Sequence, residues 1–76
     1  MAIAQYDIAR VTQLRTAGPQ LVDAFNLRAP AVGDIATVLE IYDNPPGYEL
    51  ECSDENGITQ WQMAFRAEDI VLEPVN

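Results

Sequence analysis

Six carboxylates, Glu40, Asp43, Glu49, Glu51, Asp54 and Glu55, crowd into sixteen positions of a chain that has twelve acidic residues against four arginines and no lysine. Two neighbouring carboxylates can share acid–base work when one is buried and holds its proton more tightly. The stretch Asp54-Glu55-Asn56-Gly57 has some oxygen ligands for calcium, but the spaced twelve-residue loop that wraps that ion is missing. Other chemistries fall by inventory. With no histidine there is no Ser-His-Asp or Cys-His pair and no His-rich metal site. No glycine-rich loop precedes a helix, so no phosphate cradle is present and no cofactor is expected. Cys52 is the single cysteine, so an internal disulfide is impossible. Its alternation with Leu50 assigns it to a buried, unreactive position.

A different chemistry is spelled by Pro45-Pro46-Gly47-Tyr48. The Pro-Pro-x-Tyr form is an extended ligand for aromatic grooves, provided that the tyrosine is exposed. The same letters also make a tight connection between two strands. Which reading holds depends on the flanking elements.

Those elements are short and extended. Gln5–Leu14, with Tyr6, Ile8 and Arg10 against Asp7, Ala9 and Val11, reads as a first strand. Gly33–Tyr42 is rich in Ile, Val, Thr and Leu and reads as a second. Tyr48–Ser53 and Ile58–Phe65 alternate strictly, and Ile70–Pro74 forms a last short strand after a single turn at Arg66–Asp69. Between the first two strands, Gly18-Pro19 could open a helix of about two turns carrying Leu21, Val22 and Phe25 and ending at Asn26. Asn56-Gly57 is a strong hairpin signal. A two-residue loop there pairs Glu55 with Ile58, then Cys52 with Trp61, Leu50 with Met63 and Tyr48 with Phe65. Apolar residues meet apolar partners throughout, and one residue of slip would destroy the match.

On the other side, pairing Ile41 with Tyr48 and Leu39 with Leu50 keeps the faces consistent, which calls for a six-residue loop or a bulge around Asp43–Gly47. Two prolines suit such a connection because neither donates to a ladder, and Gly47 permits positive φ. Tyr48 then faces inward against Phe65, so the turn reading displaces the ligand reading. The same register puts Glu40, Tyr42, Glu49, Glu51 and Gln62 outside, near Asp43 and with Asp54 and Glu55 at the hairpin end. Trp61 is expected to be only partly buried. This outer face is either a solvated acidic surface or a docking face for a basic partner; acid–base catalysis would need one of its carboxylates buried.

The totals bound the rest. Seventy-six residues, 49% hydrophobic, make one domain, residues 1–76. A net charge of −8 argues against phosphate-backbone binding and against anionic membranes. There is no basic-then-apolar leader, no apolar run near the length of a membrane span and a lone cysteine, so a reducing cytoplasm is expected. Five strands mostly joined by tight turns make an all-β barrel or roll.

At Asp7, Gly33-Asp34, Thr37-Val38, Glu49-Leu50-Glu51 and Asp69-Ile70 the chain resembles a family of small bacterial proteins with SH3-like barrels and no assigned function. The pattern covers nearly the whole chain and departs at Ala36, where the family usually has glycine. The resemblance implies a five-stranded SH3-like barrel with a short helical turn in its first long loop. Members of the family are often encoded beside toxin-like proteins, which implies an antitoxin or immunity-type role. The expected function is therefore a non-enzymatic protein-interaction module for a basic protein. The alternatives are an accessory structural subunit of a larger assembly and, less consistent with the exposed acids, a small enzyme using surface carboxylates.

Overall fold

The computed structural model describes residues 3–15 and 26–75. Five antiparallel strands follow one another: β1 (Ile8–Leu14), β2 (Ile35–Asp43), β3 (Pro46–Ser53), β4 (Thr59–Arg66) and β5 (Ile70–Pro74), with one 3-10 turn at Ala67–Asp69 before β5. They form a single sheet in the order β4-β3-β2-β1-β5. The all-β expectation holds. The sheet is open, because its edge strands β4 and β5 are not paired with each other. The expected helix lies outside the described residues except for Asn26.

Alternation decides which face closes on itself. Ala9, Val11, Ala36, Val38, Leu50, Cys52, Trp61 and Ile70 come from all five strands and form one buried cluster. Tyr48 and Phe65 pack partly buried against it as register partners, so Tyr48 is unavailable as an extended ligand residue. Trp61 is fully buried rather than partly so, and its ring meets Phe65 edge-on at 5.9 Å. The expected pairs Cys52–Trp61, Leu50–Met63 and Tyr48–Phe65 are all present.

The hairpin tip differs. Glu55 does not pair with Ile58; the loop has three residues, closed by Gly57 N–H to Asp54 O and Asp54 N–H to Ile58 O, both at 2.9 Å. Gly57 sits at φ 82°, the left-handed conformation that such a loop needs. That loop would shift the whole register by one residue. A bulge at Gln60, between the pairs Ser53–Thr59 and Cys52–Trp61, shifts it back. The Gln60 carbonyl, freed from the β3–β4 ladder, accepts from the N–H groups of Leu27 and Arg28, and Asn26 Oδ1 accepts from Gln62 N–H. The incoming segment is thereby tied along the outer edge of β4.

The Pro-Pro connection is tighter than expected. Pairing continues through Tyr42–Gly47 and Asp43–Pro46, which leaves Asn44 and Pro45 as the turn, with a cis peptide bond between them. The expected Ile41–Tyr48 pair is present, but Leu50 faces Val38 and not Leu39, because the irregularity lies at Leu39 itself. Gly47 has no positive φ. Its requirement is steric: a Cβ there would overlap the Phe65 carbonyl oxygen.

Candidate functional site

Beyond the Leu39 bulge, the outward residues of β2, β3 and β4 form two rows, Glu40–Glu49–Ala64 and Tyr42–Gly47–Arg66. A third row, Thr37–Glu51–Gln62, lies on the other side of the bulge. Residues side by side in such rows sit about 5 Å apart, so Glu40 and Glu49 face each other directly. Like charges in that relation destabilise a sheet. The two ion pairs among the described residues, Arg10–Glu73 and Arg28–Asp34, leave both of these glutamates without a cation.

Hydrogen bonds gather part of the expected site into one unit. The Tyr42 hydroxyl donates to Glu49 Oε1 at 3.2 Å, and Gln62 Nε2 donates to Glu49 Oε2 at 3.3 Å. Partial shielding from solvent, then the Glu49 bond and the charges of Glu49 and Glu40, push the Tyr42 phenol above its ordinary value. Glu51 accepts from the Thr59 hydroxyl at 2.8 Å. Asp54 is absorbed by the turn, where its Oδ1 accepts from Asn56 N–H and Ile58 N–H. Glu55 stands exposed at the hairpin tip, and Asp43 is exposed at the end of β2.

Beside this unit lies a depression of about 250 Å³, lined by Tyr42, Pro45, Pro46, Gly47, Ala64 and Arg66 among others. Its floor is low because Gly47 and Ala64 carry little or no side chain between the taller Tyr42 and Arg66. Sequence reasoning passed over it, although the correct Tyr48–Phe65 register already implied Gly47 beside Arg66 and Glu49 beside Ala64. The small outward pair in a sheet of larger residues was the available signal.

The most connected polar group among the described residues is elsewhere. Asp34 accepts from Arg28 Nη1 and Nη2 at 2.9 and 3.0 Å, from the indole Nε1 of Trp61 at 2.9 Å and from Ala31 N–H at 2.9 Å. Gly33, at φ 99°, turns the chain just before it. Burial opposes charge on Asp34, but the bonds from Arg28, Ala31 and Trp61 outweigh it and hold the carboxyl below its ordinary value. Arg28 also reaches Cys52 Sγ at 3.7 Å, while burial pushes the Cys52 thiol up and keeps it protonated at neutral pH. Both carboxylate oxygens of Asp34 accept from the fold, Oδ2 from three donors and Oδ1 from one, so the cluster ties β4 to the chain ahead of β2.

Among the described residues no three His, Cys, Asp or Glu side chains form a group able to hold a metal ion. No helix among them is long and apolar enough to cross a membrane. No family model, curated protein or solved structure matches the chain.

Proposed function

We propose that the chain is a non-enzymatic SH3-like module that binds a basic partner protein through the outer face of β2–β4, in the manner of an antitoxin or immunity protein of the bacterial cytoplasm. The fold reading is supported by the strand order, with β1 bridging the β2–β3–β4 meander to β5, and by the 3-10 turn ahead of β5. One observation carries the functional reading: Glu40 and Glu49 oppose each other across two strands with no arginine bonded to either. A sheet gains nothing from that pair by itself. A cationic side chain placed between them removes the repulsion and adds charge-assisted hydrogen bonds. Tyr42 and Gln62 hold Glu49 in place for such a contact.

Co-expression with the product of the adjacent gene, followed by calorimetry, tests the reading. A nanomolar-to-micromolar complex is expected that weakens as salt rises. Reversing Glu49 and Glu51 together to lysine should weaken it by at least ~100-fold, since each close charge pair at an interface is worth roughly 1.5 kcal/mol or more. An unchanged affinity, or no complex at all, sinks the proposal.

A further inference from the structure

The acidic rows and the depression adjoin each other, and Tyr42 belongs to both. Its hydroxyl is bonded to Glu49, while its ring forms one wall of the depression. The opposite wall is Arg66, which stands two strands away, about 10 Å across the sheet. Pro45 and Pro46 close one end. Glu49 adjoins Ala64 at the other end, with Glu40 beside Glu49. A volume of about 250 Å³ falls short of the 300–1,000 Å³ typical of cofactor and drug-sized sites. It suits one side chain.

We propose that this depression is a socket for a single apolar side chain of the partner, presented on an extended segment whose neighbouring residue is lysine or arginine. This deepens the functional reading above and rests on it. The apolar group lies between the Tyr42 ring and the aliphatic stem of Arg66, over the low floor of Gly47 and Ala64. Charge then fixes the direction in which the segment lies. Its cation is drawn to Glu40 and Glu49 at one end and repelled by the Arg66 guanidinium at the far wall. Anchors of this kind, a pocketed apolar group beside a paired charge, dominate interface energetics where the surrounding contacts are near neutral.

The probes are two blocked five-residue peptides, one alternating lysine with leucine and one alternating lysine with glycine, titrated into the protein and followed by amide NMR shifts. The leucine peptide should bind at least ten-fold more tightly than the glycine peptide, with the largest shifts at Gly47, Ala64, Phe65 and Arg66. Ala64→Gln raises the floor at an exposed position and should erase that preference. Arg66→Gln should preserve or strengthen binding of both peptides. Equal affinity of the two peptides, or a preference that survives Ala64→Gln, overturns the socket. If the equal affinity is also lost in Glu40→Lys/Glu49→Lys, the acidic face stands and the socket alone falls. If instead the leucine preference and affinity persist in that double variant, the cation plays no part and both readings fall. Absence of binding by either peptide overturns both as well.

Discussion

Asp34→Ala removes about 3 kcal/mol from a domain whose whole stability, at 0.05–0.15 kcal/mol per residue, is about 4–11 kcal/mol. The loss does not come mainly from the ion pair with Arg28. The Arg28 side chain is 42% exposed, so water can replace much of what the carboxylate gave it. Trp61 has no such recourse. It is fully buried, and without Asp34 its indole N–H has lost its 2.9 Å acceptor. A buried donor stranded in this way costs roughly 1–3 kcal/mol, and the freed turn at Ala31 adds to it. Arg28→Gln should accordingly cost less than Asp34→Ala, about 1 kcal/mol. A double-mutant cycle between Asp34→Asn and Trp61→Phe should give a coupling of roughly 1–3 kcal/mol. Urea unfolding followed by circular dichroism measures each value, because Trp61→Phe removes the one tryptophan and with it the fluorescence signal. A larger loss for Arg28→Gln than for Asp34→Ala would show that charge, and not the indole bond, is the main term.

The same carboxylate sets an acid limb. Its pKa in the folded chain lies below the ordinary value, whereas in the unfolded chain it titrates near ~3.9. Its contribution is therefore complete above that unfolded value and is lost as pH falls through the lower, folded one. Asp34→Asn should flatten the decline of the urea midpoint below about pH 4 relative to the parent. Parallel curves would contradict this.

Gly47→Ala is the second large effect, although it adds a single carbon. The β3 backbone passes so close to β4 that the new Cβ would overlap the Phe65 carbonyl oxygen, which belongs to the backbone and cannot swing aside. Forced overpacking costs typically 1–3 kcal/mol, and the entropy gained by removing a glycine from the unfolded chain returns at most about 1 kcal/mol. A melting temperature lower by roughly 5–10 °C is expected, at 4–8 °C per kcal/mol for a domain of this size. Gly57→Ala makes an informative control. Nothing lies within 4 Å of a Cβ there, and its cost comes from φ 82° alone. If Gly47→Ala melts at the parent temperature, the strands can separate at that point and the close approach is not required.

How much of this was legible follows from the range of each interaction. The Cys52–Trp61, Leu50–Met63 and Tyr48–Phe65 pairs could be read because alternation and a nearby Asn-Gly turn constrain each other within twenty residues. The turn itself was misjudged by one residue, and the count still came out right because the Gln60 bulge cancels the longer loop. At the Pro-Pro connection the need for one extra residue was readable from the faces, but its place at Leu39 was not, since polarity does not locate a bulge along a strand. Of the outer face, Tyr42 and Gln62 both donate to Glu49, diagonal contacts that a register opposing Gln62 to Glu51 does not specify. The Asp34 cluster was invisible for a different reason. Arg28 and Asp34 lie in irregular chain with no period to read, and Trp61 is twenty-seven positions away.

The strand order carries one more consequence, for the sequence of events in folding. The β2–β3 and β3–β4 ladders join neighbours in the chain, whereas β1 meets β5 through pairs such as Ala9–Pro74, more than sixty residues apart. Closing so long a loop must be paid in entropy before its contacts return anything. The central meander is thus placed to nucleate, and the β1–β5 seam to close behind it. Truncations at Leu50 or Met63 should slow refolding, while those at Leu72 should mainly hasten unfolding. The reverse pattern in stopped-flow kinetics would put the seam first.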